Sequence, residues 1–311
     1  MDVTSDRLSL RRPATRPTIP WWVRVVPFFL SAFFFLSAMF AVFSPLPLLF
    51  LFFKGGRKWA YLAVLTNCAI VWGASGAPSL AFFLVLCVAV ALAQGELLRR
   101  EWKIDAVAAG TLFFMFLVAA AGVGGFSWLS HQNFLQTVSG HISGLVDQLA
   151  QSATTSNWLG ETDVDEWKRG LLVEFPSAIA IFCLVVVWSN LLLILRLNPE
   201  GIREKLGLKP DFFPSWKAPE WLVWPTLVCG AFLIWEVPIA SDVALNCFKF
   251  LMAVFALQGL SILSFAFDAW KVRGAFRGLV FLLAVFFMMP LLLSLGFFDL
   301  WFDFRGKFRQ S

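Results

Sequence analysis

The sequence predicts an all-α fold: a polytopic transmembrane bundle of eight to nine spans, with a short return helix near its start and an amphipathic insert on its outer side. Three observations carry this reading. Of 311 residues 59% are hydrophobic and 14% charged, with a mean hydropathy of +0.77, whereas an ordinary soluble domain carries roughly 25% charged residues. So few charges cannot give a water-facing surface to a chain that must also hide 36 Phe and 15 Trp. The apolar residues fall in stretches near the roughly 20 needed to cross a hydrocarbon core of about 30 Å, and the cations cluster between alternate stretches.

The elements follow in chain order. Residues 1–20 form a basic tail ahead of an apolar run too long for a signal-peptide core, so the first helix is expected to remain as an anchor. An N-terminal membrane half, 21–128, holds spans near 22–43, 59–75, 79–97 and 104–128. The piece beginning Ser44-Pro45-Leu46-Pro47 and ending Phe52-Phe53 follows the first span with no polar loop. It is too short to cross and reads as a half-length or tilted return helix.

Residues 129–170 form an outer insert. Leu135, Val138, Ile142, Leu145 and Leu149 recur at steps of three and four, one stripe of an amphipathic helix, ahead of the acidic stretch Glu161 to Glu166. A C-terminal membrane half, 171–296, holds spans near 171–195, 220–236, 243–268 and 276–296. Between the first two of these, Asn198-Pro199 opens and Gly207 closes a segment that reads as a two-turn helix. In the tail 297–311, Phe297, Leu300, Trp301, Phe304 and Phe308 have the spacing of a helix lying in the membrane interface.

Cations set the orientation. Arg7, Arg11, Arg12, Arg16 and Arg24 begin the series; Lys54/Arg57/Lys58, Arg99/Arg100/Lys103, Arg196/Arg203/Lys205/Lys209/Lys217 and Lys271/Arg273/Arg277 continue it. If the return helix, or a re-entrant hairpin in its place, brings the chain back to its starting side, nineteen of the 25 Lys and Arg face the cytoplasm. The C-terminus conflicts with this rule. A single crossing by 276–296 puts Arg305, Lys307 and Arg309 outside, unless Pro290 breaks that segment into a hairpin that returns.

Catalytic and nucleotide-binding signatures are absent: there is no HExxH, no phosphate loop and no GxSxG. No enzyme activity and no cofactor is therefore expected. Cys68, Cys87, Cys183, Cys229 and Cys247 lie in apolar segments without a CxxC, and His131 and His141 lack the further ligands a zinc site needs. The scattered cations give no nucleic-acid footprint.

Polar groups at membrane depth are the better pointers, because hydrocarbon penalises them unless they face a partner or a cavity. Asn67, Asn190, Lys249 and Gln258 qualify. Lys249, with Asn246 one turn earlier on nearly the same face and Glu174 or Glu236 as partners near the outer ends of two spans, forms the candidate ligand-binding set. Gln258-Gly259 with Ser261 makes a small polar notch suited to close helix packing, and packing is the favoured role for Asn67 and Asn190 as well.

Over most of its length the chain resembles the YybS-like family of predicted multi-pass bacterial membrane proteins, a domain of unknown function. The resemblance lies in Pro45-Leu46-Pro47 followed by Lys54-Gly55-Gly56, the outer insert, and Lys205-Leu206-Gly207 leading to Pro214 and Pro219. It continues through Leu257-Gln258-Gly259-Leu260-Ser261 and the closing Leu295-Gly296-Phe297-Phe298-Asp299 with Asp303-Phe304-Arg305. The first third is also faintly similar to the substrate-binding S components of energy-coupling-factor transporters, through Phe43-Ser44-Pro45-Leu46-Pro47 and Gly55-Gly56, although the Gly-Pro of their turn is missing.

The resulting expectation is a multi-pass protein of the bacterial inner membrane with a cytoplasmic N-terminus. Its partners are the lipid bilayer and proteins docking on loop 196–218 or on the insert 131–166. Two functions fit: a solute-binding or transport subunit with an outward-facing site, or an envelope scaffold without a small ligand. The scarcity of buried acid-base pairs counts against a third, an intramembrane enzyme.

Overall fold

The computed structural model describes residues 25–130, 140, 143–145, 147–148, 164–210, 212–235, 240–272 and 274–306. All of the insert's amphipathic stripe but Leu145, the acidic residues Glu161 and Asp163, both histidines, Glu236 and the last residues of the tail lie outside them. Among the described residues all regular structure is helical.

Four helical stretches are long and apolar enough to cross a membrane: Arg57–Arg99, Ile104–Gly125, Arg169–Leu197 and Ala240–Ala269, with a fifth if the bent pair Phe276–Phe287 and Met289–Phe302 counts as one. The expected eight to nine spans exceed this count. Much of the difference lies where the chain turns back on itself.

The first such place is α1 (Pro27–Leu36) and α2 (Pro45–Lys54). Proline sits in the first turn of both, where a missing N–H costs nothing. Between them Ala38 takes a left-handed φ of 54°. Phe28 packs on Trp59 at one end of this hairpin, and Arg99 donates to the Phe52 carbonyl at 3.1 Å and lies over the Phe52 ring. A cation thus closes the C-terminal end of α2, where the helix dipole favours it. Ten residues span about 15 Å, so α2 does not cross; Leu49 and Leu51 are fully buried and Phe52 nearly so. A return helix at membrane depth is tolerated when protein surrounds it in this way.

The second place is α3 (Arg57–Phe83), which continues through a π-helical turn, Leu84–Ala89, into α4 (Val90–Arg99). The Arg57 guanidinium holds both Glu96 carboxylate oxygens, at 2.7 and 2.8 Å. In a straight helix residues 39 apart would be about 58 Å distant. The chain reverses at Gly76, whose φ of 79° and ψ of −174° leave the helix two residues before Pro78. This separates 59–75 from 79–97 as the sequence predicts, and it sets Arg57, Glu96 and Arg99 at one end of the bundle.

α5 (Ile104–Ser130) and α6 (Val164–Leu197) follow. The loop after α6 holds a 3-10 turn, Pro199–Gly201, and one α-turn, α7 (Ile202–Lys205). This corrects the expected two-turn helix: Asn198, Glu200 and Gly201 are all left-handed, so regular helix begins only at Ile202. α8 (Val223–Ile234) and α9 (Ala240–Ala269) pack on each other.

The third reversal involves α10 (Ala275–Phe287) and α11 (Met289–Phe302), bent by 94° at Met288. Arg277 at the start of α10 binds Asp268 and Ser264, while Arg305 just after α11 reaches Ser261. Both ends of the pair are therefore tied to the same end of α9. Of the tail expected to lie in the membrane interface, 297–306 are among the described residues. Residues 297–302 finish α11, and Asp299 faces inward at 1% exposure, because Gln258 and Arg305 wait for it there.

Candidate functional site

Three of the four predicted site residues come together between α6 and α9. Lys249 Nζ lies 2.6 Å from Glu174 Oε1, with a third of the lysine side chain and about half of the glutamate exposed. One turn earlier Asn246 Oδ1 accepts from the Ser177 N–H and its Nδ2 donates to the Val173 carbonyl, each at 2.8 Å. Those two main-chain groups are the pair that an unbroken helix would join. Pro176 sits between them and disturbs the ladder, and the Asn246 amide bridges the disturbed turn. Lys249, Glu174 and Asn246 thus clasp α6 to α9.

Asn67 and Asn190 play similar packing parts. Asn67 accepts from the Ala32 N–H at 2.7 Å and donates to the Pro27 carbonyl, gripping α1. Asn190 donates to the Val42 carbonyl at 2.7 Å just before α2. At the N-cap of α2, Cys87 Sγ donates to the Ser44 carbonyl.

The most elaborate polar construction lies where the loop 212–218 meets α9 and α11, and there the family motifs converge. Gly259 and Gly296 let α9 and α11 touch backbone to backbone: a Cβ on Gly259 would overlap the Leu292 carbonyl, and one on Gly296 the Phe255 carbonyl. This brings Gln258 Nε2 to 3.0 Å from Asp299 Oδ2, while Gln258 Oε1 accepts from the Ala218 N–H at 3.0 Å.

Arg305 completes the lock. Its Nη2 lies 2.9 Å from Asp299 Oδ2, and Nη1 donates to the Trp216 and Pro214 carbonyls at 2.8 and 3.1 Å. The one Ser261 hydroxyl proton is shared between the Phe213 and Trp216 carbonyls, at 2.6 and 2.9 Å. The ion pair is almost wholly buried, a position in which charges persist only when paired and hydrogen-bonded.

Around this lock the loop is held from both sides. Trp216 Nε1 donates to Asp105 Oδ1 at 2.7 Å, and its ring packs edge-on against Trp188 with 4.5 Å between centroids. Lys217 Nζ lies 2.9 Å from Asp303 Oδ1 and holds that exposed carboxyl below the usual aspartate range. Asn198 donates to both Glu204 oxygens and lowers that carboxyl likewise. Sequence reasoning placed Gln258 and Ser261 in a packing notch but missed Asp105, Trp216, Asp299 and Arg305. The signal available was the presence of Asp299 and Arg305 beside Gly296 in the closing segment on which the family resemblance rests.

A family model described as a predicted membrane protein, DUF2232, matches residues 23–300. This agrees with the resemblance to YybS-like proteins. No curated protein and no solved structure matches the chain.

Proposed function

The chain belongs to the DUF2232 family of predicted membrane proteins, and from that premise we propose that it is a non-catalytic, multi-pass subunit of a bacterial inner-membrane assembly, engaged from the cytoplasm through the loop 198–218. The observation that carries this reading is the destination of the chain's buried polar groups. Gln258, Ser261, Asp299 and Arg305 all serve to fix one surface loop, and a loop held on a rigid scaffold is how folds present binding residues.

The accompanying topology has six crossings, by 57–75, 78–99, α5, α6, the shorter apolar stretch Glu220–Ile234 that contains α8 and spans about 22 Å, and α9, and two re-entrant pairs, α1/α2 and α10/α11. Both termini are then cytoplasmic. The clusters at Lys54–Lys58, Arg99–Lys103 and Arg196–Lys217 face the same side, in keeping with the positive-inside rule. The re-entrant α10/α11 pair also removes the conflict at Arg305. A photo-crosslinking residue at the exposed Lys205 is expected to give a discrete protein adduct in the host membrane, whereas one at the exposed Trp224 gives none. No adduct at Lys205, or the same adducts at both positions, contradicts the docking reading.

A second reading, a solute-binding or transport subunit, is favoured by one observation. The side-chain oxygens of Gln94 on α4 and Asn190 on α6 are buried without a hydrogen-bond partner among the described residues, acceptors that a donor-bearing ligand would satisfy. In this reading Lys249, Asn246, Glu174 and Glu236 remain the candidate outer set. Lys249→Met is then expected to abolish binding of a ligand found by native mass spectrometry, and unchanged binding removes that role.

A further inference from the structure

The turn 101–105 and the loop 206–217 enclose an open groove of about 370 Å³. Its lining is apolar at Ile104, Leu206, Leu208, Phe212 and Trp216 and also carries two cations, Lys103 and Lys217, and two anions, Glu101 and Asp105. α4 ends at Arg99 and α5 begins at Ile104, so the groove opens where helices emerge, the level at which Trp and Lys meet phospholipid headgroups. Trp102, half exposed at its edge, suits that level too.

Two of these charges are held before any ligand arrives. Asp105 is fixed by the Trp216 indole and Lys217 by Asp303, while Glu101 and Lys103 make no ion pair among the described residues. Glu101 has a φ of 57°, a left-handed conformation that a non-glycine residue adopts at a cost.

We propose that this groove is a binding site for a zwitterionic phospholipid with a primary amine, of the phosphatidylethanolamine class. The phosphate faces Lys103 and Lys217, the ammonium faces Glu101 and Asp105, and the first carbons of a chain lie on Leu206, Leu208 and Phe212. Charge complementarity selects this occupant. An anionic headgroup would bring its negative charge against two carboxylates without offering them a cation. A choline headgroup has no N–H with which to meet them. An acidic amphipathic helix would meet the same carboxylates. The groove shares the loop 206–217 with the docking reading, but the crosslink at Lys205 reads a protein partner and the titration below reads a lipid, so the two fail separately.

The test is native mass spectrometry of the delipidated full-length protein, titrated in turn with phosphatidylethanolamine, phosphatidylcholine and phosphatidylglycerol of identical chains. One equivalent of the ethanolamine lipid is expected to bind about tenfold more tightly than either of the others. Glu101→Gln is expected to erase the preference over choline, and Lys103→Gln to weaken the ethanolamine and choline lipids alike. Equal affinity for the three lipids, a preference for the glycerol lipid, or a preference intact in both variants overturns the proposal. The comparison within the wild-type protein decides it even if a variant misfolds.

Discussion

Truncating Arg305 to alanine tests the inner lock. It leaves the Asp299 carboxylate, 1% exposed, with two neutral donors, Gln258 Nε2 and the Phe304 N–H, each at 3.0 Å, and no cation. The Pro214 carbonyl loses the donor Arg305 gave it, while the Trp216 carbonyl keeps Ser261. Removing one partner of a buried pair costs about 3–5 kcal/mol because the other charge stays buried. A double variant, Asp299→Leu with Arg305→Met, removes both charges and is expected to recover at least half of that loss, since apolar replacement of a whole pair is often close to neutral. The assay is reversible unfolding in mixed micelles followed by tryptophan fluorescence, to which Trp188 and Trp216 report directly. A single variant within about 1 kcal/mol of wild type, or a double variant no better than the single, refutes the assignment of Arg305 and Asp299 as the lock.

Further outcomes follow from the same geometry. Gly296→Leu and Gly259→Ala drive side-chain atoms into the Phe255 and Leu292 carbonyls, and each is expected to cost about 1–3 kcal/mol or more. Gly278→Ala, in open space within a helix, is expected to gain about 0.5–1 kcal/mol in the same assay. Asn246→Leu leaves the Ser177 N–H and the Val173 carbonyl unserved beside Pro176, at about 1–3 kcal/mol. Lys249→Met, which opens a partly exposed pair, is expected to cost no more than about 1 kcal/mol, so the opposite ranking in thermal denaturation contradicts the clasp. The Asp303 carboxyl, held low first by its hydrogen bond to Lys217, contributes attachment of the tail above the ordinary aspartate pKa of about 3.9. That contribution is lost as pH falls through the lower folded value. Proteolysis of the tail after Phe302 is therefore expected to be flat from about pH 5 to 8 and to rise only in stronger acid, and a rise near neutrality contradicts the pairing.

Much of this architecture is legible in the residues. Pro45 and Pro47 mark the start of α2, and ten apolar residues are too few to cross, so a return helix follows from length alone. Pro78 beside Gly76 marks the reversal between two apolar runs. The break at 37–44 is less visible: Ser37 and Ala38 carry no strong turn signal, and 22–43 reads as one continuous span. Asp299 illustrates the harder limit. Its helical position suggests the polar face of a tail helix, and only Gln258, 41 residues earlier, and Arg305 make that position an interior one. Pairing across such distances leaves no periodicity. Pro176 and Asn246 are a comparable case, since the helix break and the amide that bridges it lie about seventy residues apart.

In the proposed topology, the chain returns to the cytoplasm at its end through a re-entrant pair clamped to the loop 198–218. Dual reporter fusions after Ser311, in the full-length chain in its host membrane, read out that return. A fluorescent C-terminal fusion together with an inactive alkaline-phosphatase fusion at the same point is the predicted result. An active phosphatase there would put Arg305 outside, and with it the loop that its hydrogen bonds to Pro214 and Trp216 hold, and the cytoplasmic docking reading would fail.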